Sequence, residues 1–257
     1  MKFIAIIPAR YASSRFPGKP LADLCGKPVI ERVYLRVHEV FDEVCVATDD
    51  ERIAAVVRNF GGHVVMTRTD HKSGTDRICE AYHKVFDIHS NFDADVVVNV
   101  QGDEPFVARE QLELIKSCFD DPATDIATLA MPITIEHGTS ELFNPNNVKV
   151  VFSEITGKAL YFSRSAMPYA RGVEQSNWLG AGRYYKHIGI YAYRANVLDE
   201  ITKLPQSPLE ITESLEQLRW LENGYQIAVR QCNVASIGID TPEDLEQARQ
   251  YMLGITQ

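Results

Sequence analysis

The sequence predicts an α/β fold: a doubly wound, mostly parallel sheet with an inserted, partly antiparallel subdomain. Three observations lead there. Short runs rich in β-branched residues alternate with helical patterns along the first part of the chain. The first of them, Phe3 to Ala9, is apolar throughout, as in a strand covered on both faces, and parallel strands need crossover connections. In the later part, strand-like runs instead follow one another across a short turn.

Phe3 to Ala9 is the first buried strand, ending in a Pro-containing loop. Pro28 can open a helix, and Val29, Ile30, Val33, Tyr34, Val37 and Val40 recur behind it at helical spacing. Val44 to Thr48 is a second strand, followed by a helix over Glu51 to Asn59 that Gly61-Gly62 stops. His63 to Thr67 makes a third strand, Asp76 to Phe86 a helix, and Asp95 to Gln101 a fourth strand. Val148 to Ser153, Ala159 to Ser165 and Lys186 to Arg194 read as strands, with Glu154 to Lys158 as a hairpin turn. One helix over Pro208 to Glu222 and another over Pro242 to Leu253 complete the chain. The organisation expected is one domain over 1–257, in which about 145–195 forms the subdomain that covers a site or makes a dimer contact.

With 257 residues, 45% of them hydrophobic, the chain can bury a large core. Its formal net charge of -9 argues against a nucleic-acid backbone as partner, which would call for many basic groups. Five scattered cysteines without a C-x-x-C pair read as reduced and structural. The only apolar run at the N-terminus is broken by Pro8, too short for a signal segment or a membrane span, so the expected location is cytoplasmic.

Against this acidic background, Met1 to Ala22 contains Lys2, Arg10, Arg15 and Lys19 and no carboxylate. The stretch "PARYASSRFPGKP" follows the first strand, where open α/β sheets bind ligands. Arg10, Arg15 and Lys19 supply cations, while Ser13, Ser14 and Gly18 let backbone N–H groups approach an oxyanion. The loop is neither a Walker A loop nor a dinucleotide fingerprint. It reads as a phosphate site, with a solvated basic loop as the plainer alternative.

"NVQGDEP" places Asp103 just past a strand at the same sheet edge, where a carboxylate can hold Mg²⁺; alone, the stretch would read as an Asp-containing turn. In "GIDTPEDLE", Thr241, Pro242 and Asp244 account for a helix cap and leave Asp240 spare. In "HKSGTDR", Ser73 and Thr75 can cap the next helix, and the small residues also suit a base or ribose edge. His187 by itself reads as a packed strand histidine. Ser207 and Glu210 form a capping box, Leu215, Leu218 and Leu221 mark a core face, and Glu213, Glu216 and Gln217 share a polar one.

Together with "NPNNVKVV", "ALYFSRSAMPY", "KHIGIYAYR" and "LEQLRWLENG", these stretches resemble 3-deoxy-manno-octulosonate cytidylyltransferases, the CMP-Kdo synthetases of Gram-negative envelope biosynthesis. The match runs in order from Ile7 to Glu246. The resemblance implies a nucleotide-diphospho-sugar transferase-like fold. It also implies a Mg²⁺-dependent reaction of CTP with 3-deoxy-D-manno-octulosonate (Kdo), giving CMP-Kdo for lipopolysaccharide synthesis and pyrophosphate, and it is consistent with a homodimer. By the family's pattern, CTP falls to Ala9, Arg10, Arg15, Lys19 and the Ser73, Gly74, Thr75, Asp76 segment. The magnesium carboxylates are Asp103 and Asp240, which with Lys19 form the catalytic set. Gln101, Arg164, His187, Glu216 and Gln217 fall to the sugar acid, with Arg164 as partner for its carboxylate. The competing readings are CMP transfer to an amino-substituted Kdo or a sialic acid, and a non-catalytic CTP sensor. An NAD-dependent dehydrogenase lacks its fingerprint.

Overall fold

The computed structural model describes residues 1–88, 93–235 and 237–254. The chain forms two compact units, Met1–Glu113 with Ser236–Gln257, and Leu114–Ala235. The second unit is wider than the subdomain expected at about 145–195, since it also takes in 114–144 and 196–235.

In the first unit, β1 (Phe3–Ala9) is followed by a small ribbon of β2 (Asp23–Leu24) and β3 (Lys27–Pro28). Then come α1 (Val29–His38), β4 (Val44–Thr48), α2 (Glu51–Asn59), β5 (Val64–Met66), α3 (Gly74–Ile88) and β6 (Val96–Asn99). The helix α4 (Arg109–Ser117) leads into the second unit. There the chain forms β7 (Ile126–Ile133), α5 (Thr139–Phe143), β8 (Lys149–Phe152), β9 (Ala159–Ser163), α6 (Trp178–Ala181) and β10 (Tyr184–Arg194). The unit ends with α7 (Ala195–Ile201), α8 (Pro208–Glu213), α9 (Glu216–Glu222) and β11 (Ile227–Gln231), after which α10 (Pro242–Met252) returns to the first unit.

Apart from the antiparallel β2–β3 ribbon, the first unit's strands pair in parallel, in the order β6-β1-β4-β5. Since β6 returns to the far side of β1, the topological switch point lies between these two strands, which is where open α/β sheets open a crevice for ligands. Ile4, Ile6 and Ile7 of β1 and Val96, Val97 and Val98 of β6 are buried, which explains the unbroken apolar runs. On α1, Val29, Ile30, Val33, Tyr34 and Val37 form the buried stripe, each burial being worth roughly 1.5–3 kcal/mol. An Asp at Val33 would place a charge in that stripe and break the packing. The Asp50 carboxylate caps α2, and Gly61, at φ 81°, ends it through an N–H to Arg58 O.

In the second unit β11 runs parallel to β7, whereas β7–β10, β10–β8 and β8–β9 are antiparallel. The hairpin expected at 154–158 forms, with Ser153 N–H donating to Lys158 O. The single helix expected over Pro208 to Glu222 is instead two. Ser214 sits in the left-handed region at φ 53° between α8 and α9. The Arg164 guanidinium takes the Glu213 carbonyl at 2.7 Å and the Ser214 carbonyl at 3.4 Å, and the Glu213 carboxylate accepts from Ser163 Oγ and Arg164 N. These bonds offset the cost of about 1–2 kcal/mol for a non-glycine residue there.

Candidate active site

The site begins where β1 runs out. Ala9 is buried, and the loop behind it closes on itself as Gly18 N–H donates to Tyr11 O at 2.9 Å. Gly18 has φ 73° and lies against the Tyr11 ring, so a side chain would meet both strain and a ring carbon at 3.0 Å. The Arg52 guanidinium covers the other contact of that ring, 3.3 Å from its centroid, and is held by Asp50. These contacts hold the basic loop in a defined shape over the carboxyl end of the sheet.

The loop after β6 meets it. An added Cβ at Gly102 would lie 2.8 Å from Pro8 O, so glycine is what allows the two backbones to approach. Next to it, Asp103 accepts from Lys19 Nζ at 2.6 Å, and the same ammonium reaches Asp240 at 3.2 Å. Arg15 pairs with the other Asp240 oxygen at 3.0 Å. Asp240 reaches this point because Ile239 N–H donates to Asp103 O, while Thr241 and Asp244 form the capping box of α10. Burial would raise the Asp244 carboxyl, yet N–H donation from Asp240 and the bonds to Thr241 hold it below the usual carboxylate range. The cap therefore fixes Asp240's backbone and leaves its side chain for the cations.

Ala9, Arg10, Arg15, Lys19, Ser73, Gly74, Gln101, Asp103 and Asp240 line one cleft of about 330 Å³ within the first unit. Of the nucleotide residues expected from sequence, Asp76 differs. Its carboxylate accepts from Ser73 N while its own N–H donates to Ser73 Oγ, so it caps α3 and does not line the cleft. Thr75 is buried. Arg77 and His71 also line the cleft, and neither carried an assignment from the sequence. Arg77, in the quoted "GTDR", is buried with Asp49 at 2.8 Å and Thr67 Oγ1 at 2.6 Å. His71 is bonded to Glu80. Burial would raise the Glu80 carboxyl, but Lys84, His71 and Arg68 N bring it down to about 2. Both residues meet partners distant in sequence, so no local pattern marks them.

The remaining expected residues lie in the second unit. Arg164 donates to Glu213 O, Pro145 O and Ser214 O, which leaves two of its five N–H donors. His187 lies on β10, with the Phe162 and Tyr191 rings each 5.2 Å away, and burial pushes its imidazole down to about 3. Tyr191 packs edge-on to Trp220 of α9, the helix that Glu216 and Gln217 open. Burial and the charges of Tyr193 and Glu216 raise the Tyr191 hydroxyl well above its ordinary value. Gln217 is buried, and Glu216 accepts from Arg219 at 2.9 Å. Arg164 and His187 thus both connect to α9, one at the joint before its first turn and one through Tyr191 to Trp220.

Two carboxylates that converge on one ammonium form a set of hard oxygen donors around a point already favourable to a cation. That set fits Mg²⁺, which takes one or two carboxylates and completes its shell with phosphate and water oxygens. Cations on a glycine-bearing loop beside two such carboxylates, at the switch point of an α/β sheet, define a nucleotidyltransferase class of site.

The comparisons make this specific. The cytidylyltransferase family model matches residues 4–227. The chain is 60% identical over 252 residues to the 3-deoxy-manno-octulosonate cytidylyltransferase of Phocaeicola vulgatus, covering 98% of each chain. It is 58% identical to that of Parabacteroides distasonis, again over 98% of each. Among solved structures, CMP:2-keto-3-deoxy-manno-octonic acid synthetase complexed with CTP superposes with a TM-score of 0.89 at 44% identity, covering 100% of both chains. The chain belongs to the 3-deoxy-manno-octulosonate cytidylyltransferase family. Among the described residues no helix is long and apolar enough to cross a membrane.

Proposed function

We propose that the protein transfers CMP from CTP to the anomeric hydroxyl of Kdo and releases pyrophosphate, activating the sugar for lipopolysaccharide synthesis. The observation that carries this reading is the cluster of Lys19, Arg15, Asp103 and Asp240 in the cleft beyond β1 and β6. The reaction joins two anions, so the approach of the sugar hydroxyl to the α-phosphorus is opposed until the triphosphate charge is offset. Arg10, Arg15 and Lys19 do this from the basic loop, whose backbone is pinned by Gly18 and Tyr11 and needs no reordering. The hydroxyl oxygen gives up its proton to solvent as it forms a bond to the α-phosphorus, the bond to the bridging oxygen breaks, and pyrophosphate leaves with that electron pair. Asp103 and Asp240 would hold Mg²⁺, which when bound neutralises phosphate charge and supports the leaving group.

Arg164, His187, Glu216, Gln217 and Gln101 are the sugar-acid residues in this reading. Arg164 retains two donors for a carboxylate, and its three carbonyl bonds fix the guanidinium plane. The reading includes a homodimer, as the resemblance implies, to be tested by light scattering. The absence of a membrane-spanning helix among the described residues is consistent with a cytoplasmic enzyme.

The test is pyrophosphate release with CTP and Mg²⁺, with and without Kdo, beside Asp103→Ala. Kdo-dependent release that the variant loses is the expected result. CTP binding without Kdo-dependent release would refute the assignment, and a panel of acidic sugars would then identify the acceptor.

A further inference from the structure

Thr128 of β7 is fully buried, and nothing in the proposed reaction uses it. Its hydroxyl lies 3.0 Å from His187 Nε2, 3.1 Å from Ile188 O and 2.8 Å from Ile190 O. The ladder slips at this place. Ile188 pairs with Leu129, the next pair is Tyr191 with Thr128, and Gly189 and Ile190 bulge out between them. A bulge disrupts the ladder and re-aims neighbouring side chains. Here the threonine hydroxyl meets the carbonyls of the bulged segment and the imidazole at once.

Counting protons fixes the direction of these bonds. A threonine hydroxyl has one proton and two acceptor lone pairs, and a carbonyl can only accept. The nearest of these acceptors, Ile190 O at 2.8 Å, takes the proton, with Ile188 O at 3.1 Å beside it. Toward His187 the oxygen is the acceptor, so Nε2 carries the hydrogen. In a neutral imidazole protonated at Nε2, Nδ1 is a bare acceptor.

We propose that Thr128 is a positioning residue of the sugar-acid site, fixing His187 as the Nε2–H tautomer so that Nδ1 serves as acceptor for a substrate hydroxyl. The proposal rests on the reading of His187 as a sugar-binding residue. It gives that histidine a hydroxyl to recognise and takes from it the roles of cation for the carboxylate and of general acid. Burial, which lowers the imidazole to about 3, acts in the same direction by keeping it neutral.

The decisive experiment is a long-range proton–nitrogen spectrum of the full chain labelled with ¹⁵N-histidine, with His187→Gln to assign the resonance among the seven histidines. The expected spectrum has Nε2 protonated and Nδ1 bare in the wild type and in Thr128→Ser. Thr128→Val should lose the fixed tautomer. A wild-type His187 protonated at Nδ1, or at both nitrogens, overturns the proposal without any variant needing to fold. In kinetics, Thr128→Val should raise the KM for Kdo about tenfold, the size of one lost hydrogen bond, with kcat and the KM for CTP nearly unchanged and with Thr128→Ser close to wild type. An unchanged Kdo KM in Thr128→Val also overturns it. If no Kdo-dependent turnover exists in the wild type, the functional reading fails, whereas the spectrum still judges the tautomer.

Discussion

Replacing Lys19 by Met should have effects of opposite sign on the two components the cleft is proposed to bind. The ammonium lies 2.6 Å from an Asp103 oxygen and 3.2 Å from an Asp240 oxygen, and its side chain is 12% exposed. Removing it leaves two carboxylates facing each other, with only Arg15 on the outer side of Asp240. At close range a charge pair is worth about 1 kcal/mol in water and about 4 kcal/mol near a protein surface. Asp103 and Asp240 are 30% and 50% exposed, which places the net term towards the lower figure, at about 1.4 kcal/mol. A free-energy change of that size is about tenfold in a dissociation constant. Mg²⁺ alone should therefore bind Lys19→Met about tenfold more tightly than wild type. CTP without metal should bind less tightly, because a phosphate partner has gone. Isothermal titration of each component separates these effects without recourse to turnover. Weaker Mg²⁺ binding by the variant would refute the argument, because it would mean that the ammonium does not compete for the carboxylate oxygens.

Further outcomes follow from the same geometry. Arg77→Met should cost about 3 kcal/mol, since it leaves Asp49 inside the fold without its cation; Asp49→Asn on that background should restore part of the loss, read from urea midpoints. Gly102→Ala pushes a methyl to 2.8 Å from Pro8 O and should destabilise by about 1–3 kcal/mol while raising the KM for CTP. Glu80 titrates at about 2 in the fold against an ordinary 4.5, so the native state favours its ionised form. Its contribution is complete above the ordinary value and drains away as pH falls towards about 2, so Glu80→Gln should flatten the acid limb of the stability profile. Arg164→Lys removes the planar fork that serves Glu213 O, Pro145 O and Ser214 O, and should raise the KM for Kdo and lower the urea midpoint together.

The parts of the fold that local chemistry determines could be read from the chain. The β1 run is apolar throughout and the β6 run is apolar up to Asn99 because both strands lie inside the first unit. The helix over Glu51 to Asn59 has its cap and its glycine stop next to it in sequence, and its bounds are as read. The α10 cap used Thr241, Pro242 and Asp244 and left Asp240 over, and the structure turns that leftover carboxylate towards Lys19 and Arg15. A residue that local structure does not explain is thus a useful candidate for chemistry.

What could not be read depends on partners far away in sequence. The Pro208 to Glu222 segment has an unbroken helical pattern, and Ser163 and Arg164, roughly fifty positions earlier, supply the bonds found at its break at Ser214. Asp76 carries the family motif, but its spacing to Ser73 is also that of a capping pair, and the cap is the bond observed. His187 reads from sequence as a packed strand histidine, and it does pack between Phe162 and Tyr191. In the proposed reading packing and binding do not compete at this residue. A ring has two nitrogens, and with Nε2 donating to Thr128, as proposed, a neutral ring leaves Nδ1 as the acceptor. The contacts that make His187 look structural are the same ones that give it a single, neutral hydrogen-bonding role.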